Sequence, residues 1–245
     1  MSLLGAKATA LFLSAGAGFT GGITAGRFAL LTGSMTGQSI RLAEAIANGR
    51  GEDMAAATLV LACFGIGSAV ANTVQRMAED APLDAVVARR YLTRAIGVIT
   101  CFSIVVAELL ISLVVETSFA RRALAALVAI PMGYANFYTN AIAGHSVTAH
   151  TQSVQILAAS FVDDETRRVP GWWLPVGSLG IFLLSATIGA GVLRAGADEF
   201  TLLPAAALLA LGLSVGPPSA DASEAGTAAE DGPLGTSTGI LLIRQ

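Results

Sequence analysis

Continuous apolar windows at Ala8 to Leu31, Met54 to Val74, Ala95 to Val115, Ala123 to Ile142 and Trp172 to Leu193, with a shorter one at Phe200 to Val215, leave this chain few folds to choose from. An α-helix needs roughly 20 residues to cross about 30 Å of hydrocarbon, and most of these windows approach that length. Within hydrocarbon, every backbone N–H and C=O must find a partner inside a helix or a closed barrel. Barrel strands alternate apolar and polar residues over about ten positions, whereas these runs are unbroken. The expected fold class is therefore all-α, a polytopic helical membrane protein. A balance of 54% hydrophobic to 13% charged residues agrees, because a soluble domain of this size could not bury so much apolar surface.

Two short strings repeat along the chain. Gln38-Ser39-Ile40-Arg41-Leu42-Ala43 returns as Gln152-Ser153-Val154-Gln155-Ile156-Leu157, each after a small-residue-rich apolar span and each followed by two further spans. Three is an odd number, so a second copy of such a unit enters the bilayer upside down. The expectation is six spans in a 3+3 inverted repeat, a layout shared by many secondary transporters. Repeat one covers residues 8–115 and repeat two 123–215 of a membrane domain at 1–215. From Gly216-Pro217-Pro218 the chain is rich in Ala, Ser, Gly, Asp and Glu. That composition cannot offset its ordering entropy, so residues 216–245 are expected to be a disordered tail.

The first window follows Lys7 and contains Ala15-Gly16-Ala17, which resembles a signal cleavage site, but the apolar run continues to Leu31 and is long enough to span. Cys63 and Cys101 fall inside predicted spans and read as small core residues. The net charge is −3, and no basic patch points to nucleic acid. On the alternating topology, Arg76, Arg89, Arg90, Arg94, Arg167 and Arg168 share a side with the N-terminus, opposite Arg41, Arg50, Arg121, Arg122 and Arg194. The first side is the richer, which puts both termini in the cytoplasm. Arginine over lysine and abundant alanine fit a GC-rich bacterial genome, hence a bacterial inner membrane.

Each repeated string opens a polar helix. Ser34 to Asn48 has Thr36 at its start and Gly49 just past its end, both favourable cap signals. Gly37, Arg41, Glu44 and Asn48 form one face, opposite Ile40, Ala43 and Ala47. Its counterpart is Ser146 to Phe161. Such segments either lie flat at the interface or dip into the membrane as re-entrant half-helices.

The stretch Gly33-Ser34-Met35-Thr36-Gly37-Gln38, with Pro131-Met132-Gly133-Tyr134-Ala135-Asn136 downstream, resembles the YoaK-like (DUF1275) family of small bacterial membrane proteins of unknown function. That family shows Thr-Gly-Asn after its first span, Met-Gly-x-Gln-Asn in a middle span and Thr-Gly-Thr after it. Here Gln38 replaces the Asn and Ala135 the Gln, and the third motif is degraded, with His150-Thr151-Gln152 or Thr151-Gln152-Ser153 standing where it would fall. Thr20-Gly21-Gly22 occupies the place of an acidic residue common in the family's first span. The resemblance implies fold and membrane location, with no activity attached.

Several residues are candidates for a site. Thr36 and Gly37, at a helix start within the membrane, would offer free amides and the positive dipole end to an anionic or strongly hydrogen-bonding solute, with Gln38 alongside. The competing reading is a plain cap. Arg41 could complement a negative ligand or simply pair with Glu44. Glu108 lies in the body of a span, where an unpaired carboxylate costs roughly 2.5–3.5 kcal/mol, so it must be neutral, paired or facing water. It is a candidate proton-coupling residue or a structural hydrogen-bond partner. Arg27, near a span end, is expected to snorkel to the interface. Pro131 should free the carbonyl of Leu127 and kink its helix. Asn136 and Asn140 share a face and either line a polar site or glue helices. Thr151, Gln152 and His150 open the second polar helix, and His150 is a second proton-coupling candidate. His145 and His150 lack further ligands at metal spacing, so no metal or other cofactor is expected. Trp172 and Trp173 read as interface anchors.

The expected function is secondary transport of a small polar or anionic solute. The alternative is a non-transporting structural or partner-binding membrane protein. An enzyme is not expected, because no paired carboxylates, Ser with His, or phosphate loop stand in a workable arrangement. Gly65 and Ala69, four apart, would allow a homodimer.

Overall fold

The computed structural model describes residues 3–79, 86–113, 116–143, 151–162, 172–196 and 199–215. The expected tail, His145 and His150 lie outside them. Every regular element among the described residues is helical: α1 (Leu3–Phe28), α2 (Met35–Ala47), α3 (Gly51–Glu79), α4 (Val86–Leu113), α5 (Ser118–Ala125), a 3₁₀ turn (Ala126–Val128), α6 (Ala129–Ala143), α7 (Thr151–Val162), α8 (Trp173–Arg194) and α9 (Leu203–Val215). Four of them contain stretches long and apolar enough to cross a membrane: Lys7–Phe28, Gly51–Met77, Tyr91–Leu113 and Trp173–Arg194. The windows expected to form the fourth and sixth spans fall on shorter helices, α6 of 15 residues and α9 of 13.

The break in the fourth window has a local cause. Pro131 has no N–H to give to the Leu127 carbonyl four residues back, and the chain relaxes into the 3₁₀ turn just before it. The Ser103 hydroxyl of α4 lies 3.2 Å from that carbonyl oxygen, in donating position, and 2.7 Å from the carbonyl of Thr100. The interruption expected from Pro131 is thus present as a 3₁₀ turn, and the freed carbonyl has a partner on a neighbouring helix.

Helix α1 is the hub. Of its candidate span 61% is buried, against 11% of α8's, whose outer face carries Leu183, Leu184 and Ile188. Apolar residues exposed in this way are ordinary where the surrounding solvent is hydrocarbon. The tightest crossings are made by backbone. A Cβ added at Gly18 or Gly22 of α1 would collide with the carbonyl oxygens of Phe182 and Ala186 on α8, and one at Gly189 would sit 2.7 Å from that of Phe19. Helices α3 and α6 cross in the same manner, Gly67 against the Ile130 carbonyl and Gly133 against that of Phe64. Residue order along these contacts makes α1 and α8 parallel. Gly16 against Leu209 and Gly212 against Leu13 make α9 antiparallel to α1.

After α1, Ala29 turns the chain back with a left-handed φ of 55°. Residues 30–34 then run beside α1: the Leu30 amide donates to the Thr24 carbonyl, and the Thr24 and Thr32 hydroxyls lie 2.9 Å apart. A Cβ at Gly33 would meet the Ala17 carbonyl at 3.5 Å and the Met132 side chain at 3.2 Å. Ala17 is 11 residues before Phe28, so α2 starts about 16 Å back along the bundle from the end of α1 and returns towards that end. Its cap is Ser34, not Thr36: the Ser34 backbone is extended (φ −138°, ψ 96°) and its hydroxyl accepts from the Gly37 amide at 3.4 Å. Ser34 is the last non-helical residue, which is what a capping side chain requires, while Thr36 is already inside the helix and exposed. At the far end Gly49 adopts φ 63° as the sequence anticipates. Gln38 and Ala45 face inward, whereas Ile40 and Ile46 face out.

Candidate functional site

One end of the bundle gathers charge from far-apart places in the chain. Arg27 lies in the last turn of α1, Arg41 on α2, Arg50 before α3, Arg121 and Arg122 on α5; with them are Asp53 in the first turn of α3 and Glu108 near the end of α4. Arg27 does not snorkel outward. Its side chain is 7% exposed and turns inward, where Nη1 donates to Glu108 Oε1 at 2.7 Å and lies 3.2 Å from the Thr201 hydroxyl. Glu108 itself is 0% exposed. The physical reason is that a carboxylate buried in α4 offers Arg27 a charge-assisted bond closer than the bundle's end does. Of the three states the sequence allowed Glu108, the structure selects pairing.

This pair is incompletely satisfied. Among the described residues, Arg27 Nη2 and Glu108 Oε2 are both buried without a hydrogen-bond partner, as are Arg121 Nε and Arg122 Nε. Buried polar atoms are nearly always bonded, so these groups keep hydrogen-bonding capacity that the described residues leave unfilled.

Asp53 is the counterweight of the outer layer. Arg122 donates to its Oδ1 at 2.7 Å, and Arg50 lies 3.1 Å from Oδ2. Two adjoining cavities flank it. The larger, about 490 Å³, is lined by Arg27, Asp53, Ser118, Arg121 and Arg122 together with Gly26, Phe28 and Ala29. The smaller, about 230 Å³, has Gln38, Arg41, Glu44, Arg50, Asp53 and Arg122 on its walls. Counting formal charges, the larger cavity has three arginines against one carboxylate on its wall. Arg41 donates to the Ala29 carbonyl, which pins α2 to the turn after α1, and the Gln38 Oε1 accepts from the Leu31 amide at 2.9 Å. Ala29, which lines both cavities, and Phe200, which precedes the Thr201 beside Arg27, are the non-glycine residues with positive φ among those described; such strained backbone gathers at sites where position matters.

The sequence candidates divide. Gln38, Arg41 and Glu108 fall on or beside the arginine end. Thr36 and Gly37 lie deeper, at the start of α2. Asn136, half-buried, and Asn140, exposed, lie along α6 away from its arginine-end start, and the structure does not bring them to the cavities. Thr151 and Gln152 begin α7, with side chains outside the described set. Sequence reasoning weighed Arg50, Arg121 and Arg122 for topology alone and gave Arg27 the wrong direction. The available signal was that a tandem arginine pair, a span-end arginine and Arg50 all belong to one side of the alternating topology.

An all-helical bundle with four helices able to cross a bilayer and a cationic, partly buried recess at one end defines a multi-pass membrane protein. DUF1275, a family described as proteins of unknown function, matches residues 9–215, so the chain belongs to that family. No curated protein and no solved structure matches it.

Proposed function

We propose that this protein is a carrier of a small anionic solute, which it binds at the arginine end of the bundle. The observation that carries the reading is a cavity of about 490 Å³ whose wall brings together Arg27, Arg121 and Arg122 against the single carboxylate of Asp53. Guanidinium forks suit carboxylate and phosphate oxygens, and a low-dielectric wall strengthens the attraction. On this reading six segments cross the membrane, with α6 and α9 as the two short ones. They form two inverted halves, α1, α3 and α4 against α6, α8 and α9. The packing supports this: exchanging the halves turns the α1/α8 glycine crossing into α6/α3 and the antiparallel α1/α9 pair into α6/α4, while α4/α9 maps onto itself. The return of residues 30–34 alongside α1 favours α2 as a re-entrant helix rather than an interfacial one, with α7 as its counterpart. In the bacterial inner membrane with both termini cytoplasmic, the arginine end faces the external side.

The test is thermal stability of detergent-purified protein against phosphate, sulfate, small carboxylates, sugars and amino acids, with Arg121→Gln and Arg41→Ala alongside. An anion at about a hundred times its dissociation constant should stabilise by roughly 2.7 kcal/mol, and Arg121→Gln should abolish the shift. A panel without any anion shift in folded protein refutes the reading. A second reading, a partner-binding membrane protein, is favoured by one observation: Gly65 and Ala69 are exposed on the outer face of α3, and a Cβ at Gly65 would meet nothing within 4 Å. Cross-linking of cysteines placed at Gly65 in membranes would reveal a homodimer.

A further inference from the structure

We infer that anion binding at this end is coupled to uptake of one proton by Glu108, through exchange of partners on Arg27; the inference rests on the anion-site reading above. Arg27 belongs to both systems at once. Nη1 holds the Glu108 carboxylate at 2.7 Å, while Nη2 is buried without a partner and the residue lines the cavity with Arg121 and Arg122. An anion entering the cavity meets Arg27 on its wall and competes with Glu108 for the guanidinium. Glu108 has no solvent to fall back on, being 0% exposed, and its Oε2 already lacks a donor. A buried carboxylate stripped of its counter-charge is strongly disfavoured. It regains a low-energy state by taking up one proton, which enters from the cavity side past Arg27 as the partners exchange.

The charge balance closes. One N–H···carboxylate ion pair breaks, one N–H···anion pair forms, and one O–H bond forms on Glu108, so the net charge added to the site is zero for a monoanion and −1 for a dianion such as sulfate or succinate. The groups around Glu108 leave it this role. From α1 comes Arg27. From α5, Arg121 and Arg122, and from α3, Asp53, line the cavity beyond it. Tyr134 of α6 gives its hydroxyl proton to the Thr93 carbonyl, near the other end of α4, with Tyr138 stacked on it. Cys63 of α3 and Cys101 of α4 are buried thiols of the core. Helix α9 carries no ionisable side chain. Among the described residues, Arg27 is the cation within ion-pair distance of Glu108.

The experiment uses purified full-length protein with sulfate, and separately succinate, as probes between pH 6.5 and 8.5, where both are essentially fully ionised. Binding is measured together with the pH change in weakly buffered solution. The expected result is about one proton taken up per anion bound, with an apparent dissociation constant that rises about tenfold per pH unit wherever that uptake is seen. Glu108→Gln should bind without proton uptake and with an affinity independent of pH. Binding by wild type with no proton uptake overturns the coupling and leaves the anion site standing. Uptake that persists in Glu108→Gln also overturns it. Absence of binding by wild type at every pH overturns the anion site and the coupling together. A wild-type count of zero overturns the coupling whether or not the variant folds, and should Glu108→Gln not fold, the double variant Arg27→Met with Glu108→Leu must abolish the uptake for the assignment to stand.

Discussion

Removing one member of the Arg27–Glu108 pair should cost far more than removing both. Glu108→Leu leaves a guanidinium that is 7% exposed with only the Thr201 hydroxyl beside it, and Arg27→Met leaves a carboxylate that is 0% exposed. Breaking a buried ion pair from one side typically costs about 3–5 kcal/mol, because the remaining charge is stranded. In a chain of this size about 2–4 °C of melting temperature corresponds to each kcal/mol, so each single variant should melt roughly 6–20 °C lower. The double variant Arg27→Met with Glu108→Leu replaces the pair with apolar groups of similar length. Such replacements are often neutral or stabilising, so the double should recover most of the loss. The assay is the melting midpoint of the four proteins in one detergent at one scan rate, followed by tryptophan fluorescence. Single variants that melt within about 3 °C of wild type would mean that water reaches the pair, and a double variant as weak as the two singles combined would mean that the residues do not act as a pair. The second result would remove the basis for treating Arg27 as a shared partner.

Other outcomes follow from the same geometry. Gly67→Ala should lower stability by about 1–3 kcal/mol because its Cβ meets the Ile130 carbonyl, whereas Gly65→Ala, two residues away and facing outward, should stay within about 0.5 kcal/mol by the same melt. Ser103→Ala should cost about 1–3 kcal/mol by leaving the Leu127 carbonyl without the donor that compensates for Pro131, measurable as a melting shift. Asp53→Asn removes the carboxylate shared by Arg50 and Arg122, so sulfate should bind several-fold more tightly at low salt, with the gain shrinking as ionic strength rises through the screening range.

The helices were legible because hydrocarbon imposes a length and a continuity that leave their trace in consecutive residues. The Leu127 carbonyl was legible too, since a proline's missing donor is a local fact, although its acceptance by Ser103 was not. Arg27 shows where such reading stops. A span-end arginine reads as interfacial until the fold brings in a carboxylate 81 positions away, and no periodicity encodes that meeting. The cap of α2 went to Ser34 rather than Thr36 for a smaller reason of the same kind: either hydroxyl could serve, and the turn at Ala29 fixes where the helix begins. Asp53 drew no notice at all, because an acidic residue beside Arg50 reads as an ordinary solvated loop until Arg122 arrives from α5.

The glycine crossings also have a consequence for how this chain can vary over generations. Where α1 meets α8 and α3 meets α6, the contact surface is main chain, which every sequence shares, so the only freedom left to the gene is to keep Cβ atoms away. The large residues on the outer face of α8 can be traded for one another freely, since the lipid they meet accepts any apolar shape. Relatives should therefore diverge most where their side chains are most conspicuous and agree where the sequence looks plainest. A deep mutational scan read along α1 would show that agreement as an intolerant stripe through Gly18 and Gly22, positions with no side chain of their own.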